Sequence, residues 1–318
     1  MAPPASDLVV VSGTSHPALA GSIAAALGTT LARVRLTRFS NENLKVCVED
    51  NVRGRDVFVV QTSCPPVNES LMETLILIDA LRSASAGRVT AVLPYMPYVR
   101  SDKLDEPGVS VSARLVADLL VAAGASRVLA LDLHSPQIVG FFRVPVDHVS
   151  AVPVLCAGLS RSDDVPRVVV ATDIGEAKDA GRIAAQLGLP LAVIDKRRVG
   201  DDERALPNAI VGDVRGRHAL IVDDEIATGG TILEAADLVL RMGAASAEAA
   251  VVHPVLSGSA VPRLRRSRLS RLRVTDSIPI PPEKVDPRIE VISVAPLLAE
   301  AIRRVHVGES LNDMASRR

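Results

Sequence analysis

The part of the chain best suited to chemistry is residues 219–231, with the sequence ALIVDDEIATGGT. Its four leading apolar residues predict a buried strand that runs directly into two neighbouring carboxylates, Asp223 and Asp224. A loop of small residues comes next, and a helix is predicted to begin at Thr231. Carboxylates at the end of a buried strand, followed by a helix N-terminus, are typical of a ligand site.

The loop after the two carboxylates has the composition of an anion-binding cradle. The N–H groups of a helix N-terminus attract a phosphate, and glycines let the backbone approach it closely. The carboxylates can accept hydrogen bonds from neighbouring sugar hydroxyls. We therefore expect a bound sugar phosphate; the alternative is that Thr231 merely caps a helix. The predicted binding residues are Asp223, Asp224, Ala227, Thr228, Gly229, Gly230 and Thr231.

Other polar side chains also follow predicted strands, which is where ligands of open parallel sheets bind. His134 and Asp173 each come shortly after an apolar run. Lys196 and Arg198 follow a third run at a spacing of two residues, which puts both side chains on one face of an extended segment. Taken alone, the histidine also fits a structural role, and the basic pair also fits a solvated turn.

Apolar runs alternate with helical patterns along the whole chain. This alternation predicts an α/β fold with parallel sheets flanked by helices, and the length favours two domains, at residues 1–150 and 151–318. The predicted strands are residues 8–11, 57–61, 89–93, 128–131, 168–171, 191–194, 219–222 and 247–252. The predicted helices are residues 17–27, 68–83, 113–123, 177–187 and 231–242.

The composition excludes several classes of protein. The formal net charge of −1 gives no overall field for nucleic acid, and no apolar run reaches the length of about 18 residues that a membrane helix needs. Three scattered cysteines form no disulfide or metal pattern, so a reducing, cytoplasmic setting is expected. The basic run at residues 263–273 is interpreted as a solvated surface segment. The chain contains neither a Walker-type loop nor a GxGxxG motif.

Four further segments resemble the ribose-phosphate pyrophosphokinases. Residues 219–231 also resemble this family, and the type I phosphoribosyltransferases to which it is related. The resemblance runs from about residue 8 to about residue 310, in the family's order and spacing. The four segments are NVRGRDVF at 51–58, PYMPYVRSDK at 94–103, DLHSPQIVGFF at 132–142 and IDKRR at 194–198.

The resemblance implies both a fold and a reaction. The fold is two tandem type I phosphoribosyltransferase-like domains, each a mostly parallel sheet flanked by helices. The reaction transfers the β,γ-diphosphate of ATP to the C1 hydroxyl of ribose 5-phosphate, with Mg²⁺ as cofactor, and gives phosphoribosyl pyrophosphate and AMP. Members of the family form dimers that build hexamers, so a homo-oligomer is expected.

The family's pattern also implies a role for each candidate residue. Lys196 and Arg198 contact the diphosphate in transit and are the catalytic residues, and His134 and Asp173 hold Mg²⁺. The polar character of residues 200–207, read from the sequence and not from the family, predicts a mobile lid. Phe39 stacks on adenine, reaching in from a neighbouring subunit; the competing interpretation places this aromatic ring in the core. The residues implied to bind ATP are Phe39, Asn41, Asn43, Arg100, Ser101 and Asp102.

The chain departs from the family's pattern at four places. Residues 41–43 read Asn-Glu-Asn where Asp-Gly-Glu is usual, and Ser101 replaces a common Gln before a loop that carries acids in place of cations. Ala227 replaces a common Asp in the sugar-phosphate loop. Residues 310–314 replace the usual ending, which helps to form a regulatory site for ADP and phosphate. These changes affect nucleotide preference and regulation by ADP.

Three other functions fit parts of this pattern. A non-catalytic subunit of the same family would keep the fold without the chemistry; the altered loop after Ser101 favours it, and the retained catalytic and metal-binding residues do not. A phosphoribosyltransferase fits Ala227 but does not fit two tandem domains. A regulatory nucleotide-binding module would bind ATP without turning it over.

Overall fold

A computed structural model describes residues 7–157, 166–197 and 206–314 of the chain. For residues 196, 197 and 206–208 it describes the backbone only. Within this part of the chain, all eight predicted strands and all five predicted helices are present, together with six strands and three helices that the sequence did not predict.

The strands lie in three sheets and differ in bounds from the predicted ones mostly by one to three residues. In chain order they are β1 (Leu8–Ser12), β2 (Val34–Arg38), β3 (Leu44–Val48), β4 (Asp56–Val60), β5 (Arg88–Leu93), β6 (Arg127–Leu131), β7 (Val146–Val149), β8 (Arg167–Ala171), β9 (Leu191–Arg197), β10 (Leu206–Val211), β11 (His218–Glu225), β12 (Ser246–His253), β13 (Arg271–Thr275) and β14 (Ile289–Ile292).

The helices occupy most of the connections between strands. They are α1 (Pro17–Ala26), α2 (Val67–Ser83), α3 (Ser112–Ala123), α4 (Val152–Ala157), α5 (Ala177–Leu187), α6 (Gly230–Arg241), α7 (Ala260–Arg266) and α8 (Ala295–Val307). None of the described helices is both long enough and apolar enough to cross a membrane.

The chain divides by its internal contacts into two compact units. The first unit contains the residues up to Ala151, the short segment Ser277–Pro279 and the residues from Ser293 onward. The second unit contains Val152–Asp276 and Ile280–Ile292. Helix α8 therefore belongs to the first unit although it lies near the end of the chain, and a division into domains at residues 150 and 151 stays a prediction.

The first unit is built on a five-stranded parallel sheet with the order β1-β4-β5-β6-β7. Every residue of β4 is buried, and so are all but the first residues of β5 and β6, as expected for parallel strands covered by helices. Helix α2 packs against β4 and β5, and helix α1 packs against β1 and α8. Strands β2 and β3 form a separate antiparallel hairpin, and β3 packs on α2.

The second unit is built on a seven-stranded sheet with the order β10-β9-β8-β11-β12-β13-β14. All its strand pairs are parallel except β9 with β10. Helix α6 packs on β11 and β12, where Ile232 and Val239 join a core that includes Ile221 and Val251. The prediction of two mostly parallel sheets flanked by helices is confirmed.

The basic segment at residues 263–273 is not the solvated surface segment that we expected. It contains the end of α7 and the beginning of β13, and its leucines Leu264, Leu269 and Leu272 are all buried. Arg273 is 7% exposed because β13 lies inside the sheet, between β12 and β14. The leucines are buried while Arg265, Arg266, Arg268 and Arg271 stay exposed, since the segment presents its apolar side chains to the core and long basic side chains can reach the solvent.

Candidate active site

Strand β11 carries the two predicted carboxylates near the middle of the second unit's sheet. It pairs in parallel with β8 on one side and with β12 on the other. Pairing with β8 stops at Val222, but pairing with β12 continues through Asp223 to Glu225. Asp223 and Asp224 are therefore the two residues before Glu225, the last residue of the strand, whereas we predicted them to follow the strand.

Asp223, Asp224 and Glu176 form a cluster of three carboxylates, whose oxygen atoms lie within 4.8 Å of one another. Glu176 comes from the turn before α5, and the sequence did not single it out. Asp223 accepts hydrogen bonds at Oδ2 from the Thr172 hydroxyl (3.2 Å) and at Oδ1 from the backbone N–H of Asp224 (3.0 Å). The only local sequence signal for Glu176 is its position three residues after Asp173.

The carboxylate cluster holds a proton near neutral pH. Burial raises the pKa of Asp223, and the negative charges of Asp224 and Glu176 raise it further, to about 8. Three carboxylates at this spacing are also oxygen ligands of the kind that Mg²⁺ takes. A divalent cation bound here would favour the ionised form of Asp223, because it replaces repulsion between like charges with attraction.

The segment that follows β12 forms hydrogen bonds with the loop between β11 and α6. The N–H groups of Leu256 and Ser257 donate to the carbonyl oxygens of Ile226 and Ala227, both at 2.9 Å. The guanidinium of Arg263, on α7, donates from Nη1 to the carbonyl oxygen of Thr228 at 3.3 Å. Three successive carbonyl groups of the loop are thus occupied by hydrogen bonds to this segment.

Helix α6 begins at Gly230, one residue earlier than predicted. Its N-cap is Gly229, with φ of 77°, a left-handed conformation that favours glycine. Within the described residues no side chain caps this helix end, and Thr231 is not the cap. The first N–H groups of α6 are therefore not satisfied by a side-chain cap, which is the arrangement that suits an anion.

The two predicted metal ligands lie in different units, and each follows a parallel strand. In the second unit, Asp173 accepts at Oδ1 from the N–H of Glu176 (3.0 Å) at the beginning of α5. In the first unit, His134 is exposed in the turn after β6. That turn is fixed by Asp132, whose carboxylate accepts from the Ser150 hydroxyl at 2.9 Å. Their assignment to one Mg²⁺ stays a prediction.

The predicted ATP residues Phe39, Asn41 and Asn43 form the tip of the β2–β3 hairpin. Phe39 donates its N–H to the carbonyl oxygen of Asn43 (2.9 Å), and the Asn41 side chain accepts from the N–H of Asn43 (3.2 Å). The Phe39 side chain is 49% exposed. The ring is therefore not a core residue, and the competing interpretation of Phe39 is wrong.

The other predicted ATP residues, Arg100, Ser101 and Asp102, lie in the turn after β5. Ser101 donates its N–H to the carbonyl oxygen of Tyr98 (3.0 Å) and accepts from the N–H of Ala113 (3.2 Å) at the beginning of α3. The Tyr98 hydroxyl donates to the side chain of Asn68, in the first turn of α2.

The hairpin is tied to the same helix turn. Arg38, which precedes Phe39, forms an ion pair with Glu69, the residue after Asn68 (2.5 Å). The structure thus brings the two segments predicted to bind ATP to one end of α2. Their separation in sequence gave no indication of this shared attachment.

The two catalytic candidates are only partly described. Strand β9 extends to Arg197, so Lys196 lies within an extended strand, and its backbone is paired with Pro207 of β10. Its side chain lies outside the description, and Arg198 lies outside the described residues altogether. The predicted lid at residues 200–207 also lies outside them, apart from the backbone at its end. The roles of Lys196 and Arg198 stay predictions.

Comparison with known proteins gives matches along nearly the whole chain. Residues 8–124 match the family model of the N-terminal domain of ribose phosphate pyrophosphokinase, and residues 199–315 match that of the phosphoribosyl synthetase-associated domain. The ribose-phosphate pyrophosphokinase of Deinococcus radiodurans is 46% identical over 314 residues, 97% of this chain and 98% of the relative. A putative ribose-phosphate pyrophosphokinase of Streptomyces coelicolor is 45% identical over 307 residues, 96% of each chain.

A solved structure agrees with these relatives. The phosphoribosylpyrophosphate synthetase of Mycobacterium smegmatis is 42% identical and superposes with a TM-score of 0.89, over 94% of this chain and 98% of that one. The two units with mostly parallel sheets, together with these relatives, place the chain among the α/β transferases. The chain belongs to the ribose-phosphate pyrophosphokinase family. The predictions of family, fold class and enzyme class are confirmed.

Proposed function

We propose that this protein transfers the β,γ-diphosphate of ATP to the C1 hydroxyl of ribose 5-phosphate, giving phosphoribosyl pyrophosphate and AMP. The observation that carries the proposal is the match to ribose-phosphate pyrophosphokinases over 97% of the chain and 98% of the relative's own length. Because both sequences are covered almost completely, the match includes the ATP, metal and ribose-phosphate segments together. A phosphoribosyltransferase would consume this product, and its typical single domain does not match that coverage.

The sugar phosphate binds at the end of β11. Its phosphate lies at the N-terminus of α6, where Gly229 and Gly230 allow close approach of the backbone. Its vicinal hydroxyls lie beside Asp223 and Asp224. Carboxylate oxygens can accept hydrogen bonds from these hydroxyls.

ATP binds at the end of α2, between the β2–β3 hairpin and the turn after β5. The exposed ring of Phe39 is available to stack on adenine, an interaction worth about 1–3 kcal/mol when aromatic side chains stack on bases. Arg100 supplies positive charge for the polyphosphate. Asn41 and Asn43 can accept from the adenine amino group through their amide oxygens, although each can also donate, which relaxes the choice of base.

Transfer of the diphosphate depends on positioning and on neutralising charge. Mg²⁺ would shield the negative charge of the diphosphate, with His134 and Asp173 as its predicted ligands. Lys196 and Arg198 contact the transferred group, and Lys196 is held on a paired strand, which limits its freedom before the reaction.

The setting of the enzyme follows from its composition and its family. A net charge of −1 and reduced, scattered cysteines support a cytoplasmic enzyme with no nucleic-acid partner. The family resemblance supports a homo-oligomer built from dimers. On α3, Leu115 and Leu119 are exposed one turn apart, which offers an apolar surface of the kind that subunits bury.

The test is the release of AMP from purified protein given ATP, ribose 5-phosphate and Mg²⁺, with each omitted in turn. AMP that appears only with all three present identifies diphosphate transfer, because ordinary kinases release ADP. A protein that binds ATP but forms no AMP would instead be the non-catalytic subunit. The Lys196→Ala variant controls for a contaminating enzyme, since it should lose the activity.

A further inference from the structure

Arg263 lies directly against the loop proposed to bind the sugar phosphate. Its Nη1 donates to the carbonyl oxygen of Thr228 at 3.3 Å. Its guanidinium also covers Gly230: a β-carbon at that glycine would lie 3.6 Å from Nη1 and 3.8 Å from Nη2. The hydroxyl of Thr228 would lie 3.8 Å from the same point. A cation and a hydroxyl therefore meet on one side of Gly230, at the first residue of α6.

Packing of α7 sets the backbone position of Arg263. Helix α7 is anchored by the buried residues Ala260, Val261 and Leu264. The N–H of Arg263 donates to the carbonyl oxygen of Ser259 at 2.9 Å. The side chain therefore starts from a fixed point beside the loop, which favours a defined contact.

Helix α7 and the residues before it hold the first part of the loop, from Ile226 to Thr228. Ser257 donates its N–H to the carbonyl oxygen of Ala227 (2.9 Å), and Ala260 donates to that of Ser257 (3.2 Å). Arg263 completes the same support at Thr228. A shift of α7 would therefore move the loop, so the helix and the phosphate-binding backbone form one structural piece.

The charge of Arg263 is only weakly compensated. Its carboxylate neighbour is Glu234 on α6, with Nη2 and Oε1 4.0 Å apart. By contrast, Arg265 on the same helix contacts the buried Asp286 at 3.0 Å. A guanidinium has five N–H groups, and the Thr228 carbonyl takes one of them. Arg263 can keep that contact while it turns further donors toward an anion at the N-terminus of α6.

We propose that Arg263 is a positioning residue for the phosphate of the sugar phosphate: it holds the loop through Thr228 and supplies positive charge beside Gly230. This inference rests on the proposed function, because it assigns the 5-phosphate to this loop. Arginine suits the role better than lysine, since its planar fork can bond a carbonyl and a phosphate oxygen at once.

The experiment compares Arg263→Ala and Arg263→Lys with Arg266→Ala, an exposed arginine on the same helix. The dissociation constant of ribose 5-phosphate is measured by titration calorimetry without ATP, and inorganic phosphate is titrated as a second probe. We expect Arg263→Ala to weaken ribose 5-phosphate binding about 10- to 100-fold, the range for a lost charge-assisted hydrogen bond. Arg263→Lys should fall between the wild type and Arg263→Ala, and Arg266→Ala should match the wild type within about twofold.

Steady-state kinetics separate this role from a purely structural one. In Arg263→Ala the KM for ribose 5-phosphate should rise while the KM for ATP stays within about twofold, because the residue acts on one substrate only. A folded Arg263→Ala with wild-type affinity would overturn the inference. An equal loss of affinity in Arg266→Ala would also overturn the inference, because the effect would then come from the overall positive charge of α7 and not from the contact that Arg263 makes. If Arg263→Ala does not fold, the Arg263→Lys variant provides the test. Unchanged affinity for ribose 5-phosphate in Arg263→Lys would overturn the proposal that the guanidinium bonds the Thr228 carbonyl and a phosphate oxygen at once.

Failure of the proposed function gives a different result. A wild-type protein that releases no AMP but binds ribose 5-phosphate, more tightly than Arg263→Ala does, would refute the reaction and support the role of Arg263. A wild-type protein that turns over normally, with unaltered binding in Arg263→Ala, would refute only the role of Arg263. A wild-type protein that binds neither ribose 5-phosphate nor phosphate would refute both.

Discussion

Asp56 and His306 are 250 positions apart in the chain, and their side chains are joined by a hydrogen bond of 2.8 Å between Oδ2 and Nδ1. Both side chains are less than one-tenth exposed. Arg88, the neighbour of Asp56 in the parallel register, pairs with the same carboxylate and also reaches the carbonyl oxygen of Val305 (3.2 Å). The beginnings of β4 and β5 are thereby bound to the C-terminal end of α8.

This buried contact should make the C-terminal helix a substantial contributor to stability. We expect His306→Ala to lower the free energy of unfolding by about 2–4 kcal/mol, from a lost hydrogen bond and a cavity. Thermal or denaturant unfolding would measure this. The control is Arg303→Ala on the same helix, whose solvent-exposed ion pairs with Glu300 and Glu309 should contribute little to stability. Equal effects of the two variants would contradict the importance of burial.

The raised pKa of Asp223 should make stability fall as the pH rises. Its pKa is near 4 in the unfolded chain and about 8 in the folded protein, so between these values the folded state binds more protons than the unfolded state. The contribution of Asp223 to stability is therefore fully present below pH 4 and lost through pH 8. Between pH 5 and pH 9, the free energy of unfolding should decline less in the Asp223→Asn variant than in the wild type.

A companion variant tests the cause of that shift. Glu176→Gln removes one of the negative charges that raise the pKa of Asp223, so the decline should move to lower pH. Curves of the same shape in the wild type, Asp223→Asn and Glu176→Gln would show that this cluster does not hold the proton.

Gly229 should not tolerate a side chain, because its φ of 77° is left-handed. We expect Gly229→Ala to cost about 1–2 kcal/mol of stability and to weaken ribose 5-phosphate binding, since the start of α6 would shift. Gly21→Ala in α1 is the matched control: no atom lies within 4 Å of its added β-carbon, so it should be neutral or stabilising by up to about 1 kcal/mol. Calorimetry measures the change in ribose 5-phosphate binding, and denaturant unfolding measures the change in stability. A Gly229→Ala variant with wild-type stability and binding would contradict the proposed strain at the N-cap.

Lys196 should act on the reaction and leave the fold unchanged. We expect Lys196→Ala to lower kcat by about 100- to 1000-fold, the usual cost of losing one group that stabilises transition-state charge, with an unchanged melting temperature. AMP release at saturating substrates measures it, with Lys284→Ala, in the short helix Pro282–Lys284, as the control. Full activity of Lys196→Ala would remove this residue from the mechanism.

Sequence patterns predicted the bounds of an element correctly where the element depends mainly on its own residues. Residues 177–187 were predicted as a helix and form α5 with those bounds, because their apolar residues recur at helical spacing and Gly188 ends the helix in a left-handed conformation. The hairpin at Val34–Arg38 and Leu44–Val48 was missed as an element, although its apolar residues recur at every second position, because each strand has only five residues and short runs give a weak signal.

The bounds of the candidate site show the limit of that approach. The apolar run at residues 219–222 predicted the strand correctly but stopped before Asp223, since backbone pairing with β12 carries β11 on to Glu225. The helix after it begins at Gly230, one residue before the predicted Thr231. Its N-cap is Gly229 in a left-handed conformation, and the usual sequence signal of a capping side chain is missing there.

The sequence by itself determined eight of the strands and five of the helices, the acid-ended strand, the glycine loop and the family, since each depends on residue types at short, fixed spacings. Only the tertiary structure decided that Glu176 joins Asp223 and Asp224, that Arg263 meets Thr228, and that α8 returns to the first unit. The physical reason is that periodicity encodes which face of a segment is buried. Which distant side chains then meet depends on how the buried faces pack, and that packing minimises the free energy of the whole chain.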